Sequence, residues 1–189
     1  FKEPFKNLFT QGMVCHETYK DKDGNWYSPD EVEKINEDEA MIVGSDKKAV
    51  IGPAEAMSKS KKNTIDPEKM INKFGADAVR LFILSDSPPD RDIQWSEKGI
   101  EGSYKFLQRI WNLNIQILNR QSSKYDLKND EDFEKRINLY INKITNLIPI
   151  FSLNVVVANI YEIYNMFSSN LNNQISTDCL KRNLKNYMK

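Results

Sequence analysis

From Ile100 onward the apolar residues recur with a period near 3.6, a pattern that is buried by helices packed side by side. In the first stretch Phe106, Ile110, Leu113 and Ile117 form one stripe, and Ile100, Tyr104, Leu107, Trp111 and Leu118 form another beside it. In the second, Phe133, Ile137, Tyr140, Ile141, Ile144 and Ile148 share a face. The third carries Leu153, Val156, Val157, Ile160, Tyr164, Phe167 and Leu171, and a fourth begins at Thr177 with Leu180, Leu184 and Tyr187. The opposite faces are rich in Lys, Asn and Glu, so the spacing predicts an amphipathic helical bundle. Trp95 and Trp111 sit on patterned apolar positions and are expected in the core.

Ahead of Pro88-Pro89 the pattern changes. Leu8 to Cys15 is a short apolar run that reads as a buried strand. Asp21-Lys22-Asp23-Gly24 is a turn signal, and Trp26-Tyr27 suggests the return of a hairpin. The charged stretch from Pro29 to Glu39 is expected at the surface. Met41-Ile42-Val43 and Ala49-Val50-Ile51 are β-prone runs on either side of a second turn from Gly44 to Lys48. Asp66, Pro67 and Glu68 read as N-cap, first helical residue and first-turn acid of a helix that runs to Phe74 and stops at Gly75. A second helix from Ala76 to about Ser85 ends before the proline pair, with Asp77 and Arg80 spaced for a local ion pair. The Pro-Pro-Asp-Arg-Asp segment is the expected domain junction, and the fold class is α+β.

Between the second hairpin and the first helix lies Ala56-Met57-Ser58-Lys59-Ser60-Lys61-Lys62-Asn63, preceded by an expected Gly52-Pro53 turn. The segment holds two hydroxyls and three lysines. Ammonium groups supply point charge, while hydroxyls and backbone N–H groups supply directed hydrogen bonds, so such a loop can wrap a polyphosphate. Taken alone, these residues read more readily as a solvated basic loop.

The residues around it narrow the choice. The segment resembles the KMSKS signature of class I aminoacyl-tRNA synthetases, and Asp66-Pro67 followed by Phe74-Gly75-Ala76-Asp77-Ala78-Val79-Arg80-Leu81 is similar to that family's continuation. Ser85-Asp86-Ser87-Pro88-Pro89, Asp92-Ile93-Gln94-Trp95-Ser96-Glu97 and Gly99-Ile100-Glu101-Gly102 resemble bacterial-type leucyl-tRNA synthetases in particular. Upstream, Gln11-Gly12-Met13-Val14 is similar to the strand that precedes the loop in those enzymes. The resemblance is strong from Phe9 to Trp111 and looser through the helices beyond.

The resemblance implies the end of a Rossmann-type catalytic domain over residues 1–86, with a small β-rich, leucine-specific-type insertion at 17–51. Residues 87–189 are then an anticodon-binding-type helical bundle. The implied reaction is ATP-dependent activation of leucine and its transfer to tRNA(Leu). Lys59, the second lysine of the signature, is the implied catalytic residue. Ala56, Met57, Ser58, Lys59, Ser60 and Lys61, with Gly12, Met13 and Val14 passing beside adenine, are the implied nucleotide-binding residues. Met57 is expected to anchor the loop by packing. Ala56 departs from the family, which usually has a lysine there, and Lys61 or Lys62 is the candidate substitute. ATP is a substrate with Mg2+ accompanying it, and no metal site is expected in the chain. The family's His-x-x-His motif is absent, because His16 is the one histidine, and it is expected to be structural or exposed. The full-length enzyme is expected to be monomeric and cytoplasmic, and this segment alone to be inactive. The rival readings are a valyl, isoleucyl or methionyl relative, and a noncatalytic RNA-binding module that Ala56 would favour.

Composition adds bounds. The 189 residues are 40% hydrophobic and 29% charged, as expected of a soluble globular protein. Lys+Arg and Asp+Glu number 27 each, so RNA binding must come from a local patch and not from net charge. Arg109, Arg120, Lys135, Arg136 and Lys143 are scattered candidates, and most such side chains are ordinary solvated charges. Cys15 and Cys179 belong to no C-x-x-C pair and read as reduced structural thiols. No apolar run approaches a membrane span and no signal peptide is visible. The chain opens Phe1-Lys2-Glu3-Pro4 and stops at Lys189 within a helical pattern, which reads as a piece of a longer polypeptide.

Overall fold

The strand β1 (Val14–Lys20) organises the first half of the chain, in a computed structural model that describes residues 3–5, 8–121 and 125–187. Phe1, Lys2 and Lys189, used in the sequence reading, lie outside the described residues. On one side β1 pairs antiparallel with β5 (Lys48–Ala56), from Cys15 opposite Ala56 to Lys20 opposite Val50. On the other it meets β2 (Trp26–Tyr27) antiparallel at its far end and β6 (Ile93–Gln94) parallel at its near end. Beyond β5 the sheet continues to β4 (Glu39–Ile42) and then β3 (Val32–Lys34).

Turn chemistry sets this order. Gly24 takes φ +90°, where glycine alone is unstrained, and its N–H donates to the Asp21 carbonyl at 3.2 Å. The Asp21 carboxylate accepts from Asn25 Nδ2 and N and from the Tyr27 hydroxyl, at 3.0, 2.8 and 2.9 Å. Those donors, the Asn25 side chain foremost, hold its pKa at about 2. Tyr19, Ala40, Ile42 and Ala49 form the buried side of the sheet, with Tyr27, Val32 and Ile51 packed against them.

Two expectations fail here. The strand begins only at Val14, the seventh residue of the Leu8–Cys15 run, and ahead of it Leu8 is 90% and Met13 55% exposed. Of that run Val14 and Cys15 are the residues that pair in the sheet, because strand formation depends on a partner strand and not on apolar character alone. Gly52-Pro53 is likewise not a turn: both residues lie inside β5. Thr18 faces Gly52 whereas His16 faces Glu55, so β5 carries one extra residue between these pairs, a bulge where the missing N–H of Pro53 breaks no ladder bond.

The helices follow their sequence signals closely. The Asp66 carboxylate accepts from the Glu68 N–H at 2.9 Å to cap α1 (Pro67–Phe74), and Gly75 ends it at φ +84°. Next come α2 (Ala76–Asp86), α3 (Glu97–Asn119), α4 (Leu127–Leu147), α5 (Leu153–Asn170) and α6 (Thr177–Tyr187). Within α2, Arg80 lies 3.7 Å from Asp77. Leu113, Ile117, Phe133, Ile137, Ile163, Phe167, Leu180 and Leu184 belong to a single buried cluster. Only one of the two stripes of α3 is fully used, since Trp111 is 62% and Leu118 54% exposed, and Trp111 is therefore not a core residue. Trp95 is half-buried. Ile148 falls beyond α4, in a short 3-10 turn (Ile148–Ile150) that holds Pro149. The buried face of α5 also includes Asn159, Ile163 and Met166.

The chain gathers into two compact units, Phe1–Ala76 with Pro89–Glu97, and Asp77–Pro88 with Lys98–Lys189. The polypeptide passes between them after Ala76, Pro88 and Glu97. Among the described residues no helix is long and apolar enough to cross a membrane.

Candidate functional site

Once β5 ends at Ala56 and before α1 begins at Pro67, the backbone has no ladder or helix to satisfy it. Asn63 takes over that task. Its side chain is fully buried, its Oδ1 accepts the Ser58 N–H at 2.8 Å, and its Nδ2 donates to the His16 and Glu55 carbonyls at 3.2 and 3.1 Å. The Met57 N–H donates to the Val14 carbonyl at 3.0 Å. One amide therefore ties the loop to β1 and β5 together. Between these anchors Lys59 to Lys62 make a tight turn, with the Lys62 N–H donating to the Lys59 carbonyl at 3.3 Å and Lys62 at φ +54°. A left-handed lysine costs about 1–2 kcal/mol, so the anchors must hold the turn against that strain. The Ser58 hydroxyl accepts the Lys61 N–H at 3.4 Å and lies 3.3 Å from the Ser60 hydroxyl.

The three ammonium groups differ. Lys61 is ion-paired with Glu55 on β5. Lys62 lies 3.6 Å from Glu31 and 6.0 Å from the centre of the Tyr27 ring. Glu31 belongs to the short turn Pro29–Glu31, where the Ser28 N–H and hydroxyl also bond its carboxylate and, the N–H foremost, lower its pKa. Lys59 is exposed, and among the described residues no carboxylate pairs with it. Ser60 and Ala56 are exposed, and Met57 and Ser58 are half-buried. The loop thus presents one uncommitted cation beside two hydroxyls.

Gly12, Met13 and Val14 lie on the strand side of the same unit. The Gly12 N–H donates to the Pro89 carbonyl at 2.9 Å, and a methyl on Gly12 would stand 2.0 Å from the Arg91 carbonyl oxygen. The Met13 N–H donates to Asp92 Oδ1 at 2.8 Å, and the Ile93 N–H to the Met13 carbonyl at 2.9 Å. Gly12 is accordingly committed to close packing against the returning segment 89–94. Val14 joins this limb to the loop, since its carbonyl holds Met57.

His16 is half-buried with Nδ1 3.0 Å from the Glu17 carbonyl, and burial lowers its pKa. Its backbone carbonyl, not its ring, serves the loop. Cys15 and Cys179 are free, and burial foremost pushes the Cys179 thiol up to about 11. Among the described residues no group of three or more His, Cys, Asp or Glu is placed to hold a metal ion.

The helical unit's cations have separate duties. Arg120 donates to the Ile175 and Asn173 carbonyls at 2.6 and 3.0 Å, stapling α3 to the α5–α6 connection. Arg109 lies 5.8 and 6.0 Å from the Phe106 and Tyr164 ring centres, and Lys135 lies 3.8 Å from Asp132. Arg136 and Lys143 are exposed.

Three residues that shape the loop were not singled out from sequence: Asn63, Glu55 and Glu31. An asparagine directly after a lysine turn is the one sequence signal for this, because its amide supplies donors and an acceptor that loop backbone lacks. The acid–lysine pairings were not readable, because they depend on strand register.

The family model described as tRNA synthetases class I (I, L, M and V) matches residues 52–96, which include the loop, α1, α2 and β6. Leucine--tRNA ligase from Zymomonas mobilis is 45% identical over 166 residues, 87% of this chain and 19% of that protein. The enzyme of that name from Rhodospirillum rubrum is 51% identical over 114 residues, 60% of this chain and 13% of that protein. The one from Ehrlichia chaffeensis is 40% identical over 178 residues, 93% of this chain and 21% of that protein. Among solved structures, a ternary complex of Agrobacterium radiobacter K84 LeuRS with tRNA and LeuAMS superposes with a TM-score of 0.68 at 22% identity, covering 99% of this chain and 20% of that one. The chain spans about a fifth of the length of the curated relatives it matches.

Proposed function

The chain belongs to the leucine--tRNA ligase family, over a stretch matching about a fifth of those relatives, and from that premise we propose that its 56–63 loop binds the phosphates of ATP during leucine activation. In this reading the leucine carboxylate attacks the α-phosphorus, the bond to the bridging oxygen breaks, and pyrophosphate leaves carrying the charge. The protein's part is positioning and charge stabilisation. Lys59, the uncommitted ammonium of a loop fastened by Asn63, is the observation that carries the proposal.

Ser58 orders the turn through the Lys61 N–H, and Ser60 beside it offers a hydroxyl to a phosphate oxygen. Gly12, Met13 and Val14 supply the wall along which adenine passes, with Gly12 packed behind it. The loop's donors are ammonium and hydroxyl groups, which suit phosphate oxygens and not a cation, so Mg2+ arrives on the ATP. It would supply further neutralisation of the phosphates there. Residues 1–86 read as the end of a Rossmann-type catalytic domain with its leucine-specific-type insertion at 17–51. The helices α3 to α6 read as an anticodon-binding-type bundle supporting tRNA(Leu). The ligase so assembled works as a monomer in the cytoplasm, where translation consumes its product.

The test is ATP–pyrophosphate exchange by the full-length ligase that carries this segment. Exchange is expected with leucine at least tenfold above valine, isoleucine or methionine. Exchange driven best by another of these amino acids would move the chain to a sister enzyme. No exchange with any of them would favour a noncatalytic RNA-binding module, the reading to which Ala56 and the committed Lys61 and Lys62 lean.

A further inference from the structure

The loop carries three lysines but leaves one ammonium uncommitted, and the cause lies on the strand beside it. Glu55 is the penultimate residue of β5. Its backbone is fixed twice, by its register opposite His16 and by Asn63 Nδ2 donating to its carbonyl at 3.1 Å. Its carboxylate is thus presented from a rigid base to Lys61, six positions later on the turning loop, and the two form an ion pair whose side chains are each 38% exposed. Apart from this pair, among the described residues Lys61 is fastened through its N–H to the Ser58 hydroxyl, a long bond at 3.4 Å, so of the two partners the lysine is the less tightly held. A polyphosphate and Glu55 are both anions, and one ammonium cannot serve both at full strength.

We propose that Glu55 is a positioning residue that holds Lys61 away from the nucleotide in the empty site, so that ATP recruits Lys61 only by displacing this carboxylate. The proposal rests on the assignment of the 56–63 loop to ATP phosphates. It gives the alanine at position 56 a physical consequence. The loop's own reserve cation is kept neutralised at rest, and it replaces the charge missing at Ala56 only once a stronger anion is present. The empty loop then has a single cation without a carboxylate partner among the described residues, and the filled loop offers two to the phosphates. Part of the binding free energy of ATP goes into breaking the pair, which raises KM without a matching change in kcat.

The experiment is ATP–pyrophosphate exchange by the full-length ligase, with KM for ATP and kcat measured for Glu55→Gln, Lys61→Ala, the double variant and Lys59→Ala. Glu55→Gln keeps shape and removes the competing charge. A partly exposed pair contributes up to about 1 kcal/mol, so KM for ATP should fall two- to fivefold with kcat changed less than twofold. Lys61→Ala should raise KM, and in its background Glu55→Gln should change nothing, because the carboxylate acts through Lys61. A KM that is unchanged or higher in Glu55→Gln overturns the proposal, as does a KM that falls equally with Lys61 absent. The melting temperature of Glu55→Gln separates an electrostatic role from a structural one: a large drop together with a higher KM makes Glu55 a strand residue only. If Lys59→Ala leaves activation intact, the assignment of the loop fails. If Lys59→Ala is impaired and the Glu55 effects are absent, only the displacement of Glu55 fails.

Discussion

At the scale of single residues, the loop is held by one amide and left to act through one amine. Asn63 satisfies the Ser58 N–H and two strand carbonyls while fully buried, so its removal leaves polar groups with neither protein partner nor ready access to water. Asn63→Ala should cost about 1–3 kcal/mol locally, and the Ser58 amide should exchange with solvent about ten- to hundredfold faster. Hydrogen exchange followed by mass spectrometry on peptides covering 57–64 measures this, and unchanged protection there would remove Asn63 as the anchor. The resemblance to the KMSKS signature is what points to Lys59, since the charge and hydroxyls of the run by themselves show only a basic polar loop. Sequence alone left Glu55, Glu31 and Asn63 unremarked because their roles exist only after β1 and β5 have paired and the Pro29–Glu31 turn has been brought beside Lys62.

At the scale of elements, helices were legible and strand limits were not. A period of 3.6 over twenty or so residues averages out single errors, whereas β2 and β6 have two residues each and are defined entirely by their partner β1. The parallel pairing of Val14 with Ile93 joins positions on either side of the loop and its helices, and no local pattern announces such a contact. Trp111 shows the opposite failure: two apolar stripes ran side by side on α3, and while Phe106, Leu113 and Ile117 of one are buried, the other leaves Trp111 and Leu118 exposed beyond its buried Ile100. The junction of β1 with the 89–94 segment also makes a sharp prediction. A Cβ on Gly12 would meet the Arg91 carbonyl oxygen at 2.0 Å, its carbon at 2.2 Å and the Asp92 nitrogen at 2.7 Å. All three are backbone atoms, so the segment must shift and strain the Gly12–Pro89 and Met13–Asp92 bonds. Gly12→Ala should therefore destabilise the chain by about 1–3 kcal/mol, read as a lower urea midpoint, and a midpoint equal to the parent's would show that the return segment yields freely.

At the scale of the whole molecule, the chain joins a sheet-bearing unit that carries a lysine loop to a helical unit, and net charge is balanced at 27 against 27. Long-range attraction therefore does little of the work, and the chemistry must depend on a few placed charges. In the proposed function the decisive one is Lys59, which has no carboxylate partner among the described residues. The measurement is the single-turnover rate of leucyl-adenylate formation by the full-length ligase at saturating leucine, with Lys59→Ala set beside the parent. Losing a donor aimed at transition-state charge costs about 2–4 kcal/mol, so the rate should fall by roughly 30- to 1,000-fold while leucine affinity changes little. A rate within about twofold of the parent would mean that the phosphates are stabilised elsewhere and that this loop is not the site.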